Sequence, residues 1–166
     1  AAKMKRVNAI WEHPVFQAYY KRLQELEADR IFCRHQLEHL LDTARIAYIQ
    51  NLEEHLGLEK EWIYAASLLH DVGKCCQYEE GIPHEVASAQ IAEKILRTLP
   101  NEQCFTEEEI RQIVTAVKGH RKARENMEPL EKLLCESDKK SRMCYACPAE
   151  KLCSWSEEKK NKEIER

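Results

Sequence analysis

The chain has 166 residues, enough for one domain with its own core. Only 4 glycines and 5 prolines punctuate it, too few for the many tight turns of an all-β fold, and a formal net charge of −3 argues against a module that grips nucleic acid with a broad basic surface. No apolar run approaches the roughly 18–20 residues of a membrane span, and no charged start with an apolar stretch behind it reads as an export signal, so a cytoplasmic setting is expected.

In chain order the periodicity is helical almost throughout. Phe16, Tyr19, Tyr20, Leu23 and Leu26 form one stripe behind Pro14, a residue well suited to a first helical turn. A second helix is expected from about Ile31 into the fifties, with Leu37, Leu40, Leu41, Ala44, Ala47 and Tyr48 at three- and four-residue steps. A third carries Trp62, Ala65, Ala66 and Leu69 and should stop near Gly73. After a stretch that reads as loop, Pro83 opens a fourth helix through about Leu96. Thr106 with Glu109 is a capping box ahead of Ile110, Ile113, Val114 and Val117, and Gly119 should end that helix just before His120. Pro129 opens a further helix with Leu130, Leu133 and Leu134 inward, and the charged tail from Glu157 reads as a solvated segment or frayed end. The expected fold class is all-α, divided into an N-terminal helix within residues 1–30, a helical domain over 31–142 and a small cysteine-rich extension over 143–166.

The polar residues on these helices carry the chemistry. His70 and Asp71 adjoin at the end of an apolar helix, where two polar side chains are costly to bury without partners. His39 lies on the helix before them, His84 opens the helix after, His120 closes the next, and Asp138 sits on the one after that. A helical bundle can converge such single inward positions on one site. Imidazole with carboxylate suits Fe, Mn, Co, Ni or Zn better than Ca²⁺, which prefers oxygen alone.

The order His39, His70-Asp71, His84, His120, Asp138 resembles the HD superfamily of metal-dependent phosphohydrolases. The run His39-Leu40-Leu41-Asp42-Thr43-Ala44-Arg45-Ile46-Ala47 looks like its first motif, and Leu68-Leu69-His70-Asp71-Val72-Gly73-Lys74 is similar to its second. The resemblance covers about Ile31 to Arg142, and the extra histidines are similar to those of the binuclear branch, which includes the HD-type diadenosine tetraphosphate hydrolases. It implies an HD-domain helical bundle holding one or two divalent transition metals. Asp71 would bridge two metals, His39, His70 and Asp138 would hold one, and His84 and His120 would complete the other. The implied reaction is hydrolysis of a phosphoester or phosphoanhydride in a nucleotide or related small phosphate by a metal-activated hydroxide. Two alternatives stand beside it: a di-iron HD-type oxygenase, an activity for which some members of the superfamily use the same ligand set, and a non-catalytic metal or iron–sulfur sensor.

Around that set, Lys74, one turn past His70, is a candidate catalytic residue, contacting phosphate or stabilising the leaving group. Arg121 and Arg142 follow presumptive ligands and are candidates to grip phosphate bidentately. His35, four residues before His39, is a candidate substrate group on the expected shared helix face.

Eight cysteines is a high count, and three cluster as Cys144-x2-Cys147-x5-Cys153. With no export signal, a metal or an iron–sulfur cluster fits this spacing better than disulfides. The spacing resembles the C-terminal staple of certain iron–sulfur nucleases. Cys33, six residues before His39 as Cys144 is six after Asp138, is the candidate fourth ligand of a [4Fe–4S] cluster or, alternatively, Zn; Cys135 is the runner-up.

Overall fold

The computed structural model describes residues 1–166 and contains eight α-helices: α1 (Lys5–Glu12), α2 (Pro14–Leu26), α3 (Leu37–Glu53), α4 (Lys60–Leu69), α5 (Lys74–Glu80), α6 (His84–Arg97), α7 (Glu107–Gly119) and α8 (Pro129–Lys140). Three single 3₁₀ turns, at Asn101–Gln103, Cys144–Ala146 and Glu150–Leu152, complete the regular structure, and there is no strand. The all-α expectation therefore holds. None of the helices is long and apolar enough to cross a membrane.

Helix α4 is the axis of the bundle. Every residue from Ile63 to Leu69 is buried, so this helix is apolar all round rather than along one stripe, as a helix enclosed by others must be. It packs against α1, α3, α6, α7 and α8, while α3 and α7 each also touch α8. The capping box at Thr106–Glu109 forms as expected. Its Glu109 carboxylate also accepts hydrogen bonds from Arg6 (3.0 and 3.1 Å) and from Trp62 Nε1 (2.6 Å), tying α1 and α4 to the start of α7.

Two glycines let the site-bearing segments approach closely. A Cβ on Gly73 would stand 2.5 Å from the backbone nitrogen of Ser88, and the Gly73 N–H donates to Ser88 Oγ at 2.8 Å. A Cβ on Gly119 would collide with the buried Glu131 carboxylate, which itself caps α8 and pairs with Arg124.

Four local expectations need correction. Helix α3 begins at Leu37 rather than near Ile31, and residues 31–36 are irregular, with Ile31 exposed. Tyr20 accepts the Leu37 N–H at 2.9 Å and fixes the start there. The stretch read as loop after Gly73 contains α5, which stops at Gly81 in the left-handed region (φ +72°). Helix α1 was not anticipated because it buries just Val7 and Ile10, too sparse a pattern to read. The charged tail is not wholly solvated: Asn161 Nδ2 donates to the carbonyls of Lys139 and Arg142 (both 2.8 Å), and the Lys160 ammonium is held by Glu150 at 3.0 Å.

Candidate metal centre

The six donor residues converge where the helix ends meet. His39 lies in the first turn of α3, His70 and Asp71 just past α4, His84 at the start of α6, His120 just past α7, and Asp138 in the last turn of α8. All but the partly exposed Asp138 are buried. Asp71 stands at the middle, with each carboxylate oxygen facing a different pair of imidazoles. Its Oδ2 is 3.3 Å from His39 Nε2 and 3.1 Å from His70 Nε2, whereas its Oδ1 is 3.6 Å from His84 Nε2 and 3.7 Å from His120 Nε2. Asp138 Oδ1 closes the first set at 3.0 Å from His39 and 3.2 Å from His70. Adjacent donors around a cation with bonds of about 2.1 Å stand about 3.0–3.4 Å apart, so the first set has the spacing of a coordination shell and the second is slightly wider.

Each imidazole has its other nitrogen committed. Nδ1 of His70 donates to the Ser67 carbonyl (2.5 Å) and that of His120 to the Val117 carbonyl (2.6 Å), acceptors that cannot donate in return. Ser141 Oγ donates to the Asp138 carbonyl at 2.7 Å, so it accepts from His39 Nδ1 at 3.1 Å. Gln77 Oε1 receives both the His84 backbone N–H (3.2 Å) and His84 Nδ1 (2.8 Å). All four Nε2 atoms therefore point inward, those of His39 and His70 3.2 Å apart and those of His84 and His120 3.0 Å apart. Two ring nitrogens approach so closely when a positive charge lies between them, a metal cation or, in its place, a proton. Asp71 Oδ2, buried with no hydrogen-bond donor, makes the same demand. The residues fit divalent metal, in two groups that share Asp71.

The charges agree. Burial opposes protonation of His70, but Asp71 and Asp138 outweigh it and push its pKa up to about 10. Burial likewise opposes ionisation of Asp71 and Asp138, yet His70 holds both well below the usual carboxylate range. His84 moves the other way: burial, aided by Lys74 and His120 against Asp71, brings it down to about 3, so its lone pair is free at neutral pH.

Residues 37–143, a span that includes all six donors, match the HD domain. The chain belongs to the HD domain family. As a family, HD domains carry metal-dependent phosphohydrolase-type activity, and the buried His/Asp cluster here is of the kind that holds divalent metal. The chain is 44% identical over 161 residues to an uncharacterised protein of Clostridium beijerinckii, covering 97% of this chain and 99% of that one. It is also 30% identical over 82 residues to ribonuclease Y of Oleidesulfovibrio alaskensis, a match covering 49% of this chain but 15% of the ribonuclease. No solved structure matches the chain.

Above the HD donors opens a pocket of about 730 Å³, lined by Asp71, His84, His120 and Asp138 and by the cations Arg30, Lys74, Arg121, Lys122, Lys139, Arg142 and Lys159. The expected substrate residues His35, Lys74, Arg121 and Arg142 all line it. Burial lowers the Lys74 pKa, opposed by Asp71, and its ammonium lies 5.8 Å over the Tyr78 ring. Arg121 is exposed beside Glu85 (3.4 Å), and Arg142 donates to the Arg34 carbonyl (2.7 Å). His35 precedes α3 instead of sharing its face, but the irregular segment still sets its ring edge-on to His39, 6.0 Å between centroids.

Three supporting residues escaped the sequence reading. Fully buried Glu27 accepts from His35 Nδ1 (2.5 Å), the His35 N–H (2.8 Å) and Tyr78 Oη (2.7 Å). Gln77 lay in the stretch taken for loop. Ser141 had one usable signal, its place one turn beyond Asp138. Of the cysteines, Cys33, Cys144, Cys147 and Cys153 line a common cavity, whereas Cys135 is buried elsewhere with Lys139 Nζ 3.3 Å from its sulfur.

Proposed function

We propose that this HD domain protein hydrolyses a phosphoester or phosphoanhydride in a nucleotide or related small phosphate. On this reading it is a binuclear member, similar to the HD-type diadenosine tetraphosphate hydrolases, and takes two divalent transition cations (Fe, Mn, Co, Ni or Zn). The observation that carries the proposal is a cationic pocket placed directly over a donor set split between the two oxygens of Asp71.

His39, His70, Asp71 and Asp138 would hold one cation, and Asp71, His84 and His120 the other. Divalent cations bound there lower the pKa of water and neutralise phosphoryl charge. The protein's own groups do the rest. Arg121 and Arg142 stand at the rim to orient the anion. Lys74, beneath them, balances charge on the departing oxygen. His35, kept neutral by burial and with Nδ1–H held on Glu27, presents Nε2 as an acceptor for a substrate hydroxyl. Cys33, Cys144, Cys147 and Cys153 would take a second, sulfur-ligated group beside this pocket.

The deciding assay loads the protein in turn with Mn²⁺, Fe²⁺, Co²⁺, Ni²⁺ and Zn²⁺ and screens mononucleotides, dinucleoside polyphosphates, cyclic dinucleotides and a short RNA for phosphate ester cleavage. Cleavage of a small nucleotide is expected, falling more than about a hundredfold in Asp71→Asn with helicity unchanged, since a metal ligand matters at least as much as the groups that orient it. O₂ consumption with Fe²⁺ and no cleavage of any phosphate would overturn the proposal.

A further inference from the structure

Four cysteines from two distant stretches of chain meet around one cavity of about 710 Å³ beside the HD site. The local geometry of the C-terminal segment explains three of them. Cys147 N–H bonds to the Cys144 carbonyl, Glu150 N–H to that of Cys147, and Cys153 N–H to that of Glu150, each at 3.2 Å. Turns closed every three residues bring side chains at i and i+3 onto one edge. The fourth, Cys33, lies on the irregular segment before α3. Arg30 Nε fixes its carbonyl at 2.7 Å, and Arg142 Nη1 fixes the carbonyl of Arg34 at 2.7 Å. All four thiols are free. Burial raises the Cys33 thiol, and Arg142 opposes it.

Their spacing selects among occupants. A single tetrahedral ion with bonds of about 2.3 Å brings its sulfurs to about 3.8 Å from one another. The donor groups whose ligand atoms all lie within 4.8 Å of one another are the two His/Asp sets, and the four sulfurs are spread more widely than that. A cubane offers one iron to each sulfur and so needs them farther apart. The Trp155 N–H, 3.5 Å from Cys153 Sγ, supplies the kind of hydrogen bond that such a sulfur accepts.

We propose that Cys33, Cys144, Cys147 and Cys153 ligate a [4Fe–4S] cluster that staples the C-terminal segment to the segment preceding α3. Cys33 and Cys153 also line the pocket over the HD donors, together with Leu152, Trp155 and Lys159. The cluster therefore fixes one wall of that pocket. The segment from Cys144 onward has just two 3₁₀ turns of its own and is tied to the helices at its far end through Asn161 and Arg166, so the cluster adds the tie over residues 144–153. The cluster does not depend on the phosphohydrolase reading.

The test uses full-length protein purified without oxygen, with iron, zinc and acid-labile sulfide measured per chain. About four sulfides are expected, with broad visible absorbance, both lost in Cys147→Ser and kept in Cys104→Ser, whose thiol is exposed. Sulfide separates the cluster from any iron at the HD site, and Asp71→Asn, which disturbs just that site, should keep its sulfide. Amide hydrogen exchange over residues 144–161 should quicken at least about tenfold when the cluster is stripped from wild-type protein. Wild-type protein carrying one cysteine-bound zinc and no sulfide, or neither, overturns the cluster. Unchanged exchange after stripping overturns the staple.

Discussion

His39, His70, His84 and His120 differ in what holds Nδ1, while burial and the neighbouring carboxylates set how each half of the HD centre responds to pH. Nδ1 of His70 and His120 is held by a backbone carbonyl, fixed with the fold, whereas His39 relies on Ser141 and His84 on Gln77. His70 binds a proton up to about pH 10 between Asp71 and Asp138, whereas His84, with a pKa of about 3, binds none at neutral pH. A cation entering the His39/His70/Asp71/Asp138 set must displace that proton. Calorimetric titration at pH 7.5 in two buffers of different ionisation enthalpy should show close to one proton released at that set, with affinity rising up to about tenfold per pH unit. The sign for stability follows: the raised folded pKa of His70 contributes stability to metal-free protein that is full below the ordinary histidine range and lost as pH climbs through about 10. Equal proton release from His70→Ala and wild type would contradict this. The six donors were readable because their residue types recur one or two per helix. Glu27, Gln77 and Ser141 were not, because carboxylate, amide and hydroxyl side chains are common, and what distinguishes these three is a partner fixed by tertiary packing.

At the scale of elements, the centre exists because helix ends are brought closer than side chains normally permit. Gly73 does this between the His70-Asp71 turn and α6, and Gly119 between α7 and α8. In the sequence Gly73 reads as a helix stop, and α4 does stop before it; its second role, contact with the Ala87–Ser88 backbone, has no local signature. For the same reason α5 was hidden, since a helix starting at Lys74 directly after such a glycine looks like loop. The long, strongly periodic helices α4 and α7 were legible, as was the capping box, because local chemistry and burial agree there. Gly73→Ala must push α6 away or distort the turn, at a cost of about 1–3 kcal/mol by analogy with overpacked cores. The Tm should fall by several degrees. Since α6 starts with His84, already 3.6 Å from Asp71 Oδ1, metal stoichiometry should drop at the Asp71/His84/His120 set and persist at the other. Differential scanning calorimetry and metal analysis check both halves, and full occupancy of both sets would show that the glycine matters for stability alone.

Across the whole molecule the charge is segregated. The chain carries 26 basic and 29 acidic residues, yet the wall over the donors gathers Arg30, Lys74, Arg121, Lys122, Lys139, Arg142 and Lys159. A polymer tracked along its backbone calls for a continuous basic surface, whereas a basic pocket on an acidic chain suits one compact anion. The field that draws such an anion in is screened over about 10 Å at 0.1 M salt and about 3 Å at 1 M. Raising salt between those limits should therefore raise KM for the proposed small phosphate substrate at least about threefold. Its effect on kcat should be smaller, because groups in contact with the bound anion are shielded from mobile ions. Arg121 and Lys122 are both exposed and sit at the mouth, so their work is long-range capture. Replacing both with Glu should raise KM about tenfold and flatten the salt dependence. Lys74, largely withdrawn from solvent beneath them, acts at close quarters, and Lys74→Met should lower kcat with the salt dependence of KM intact. Steady-state kinetics across a salt series on the three proteins separates the two roles. An equal loss of kcat in Lys74→Met and in the Arg121/Lys122 double variant would mean that the pocket has no such division between capture and chemistry.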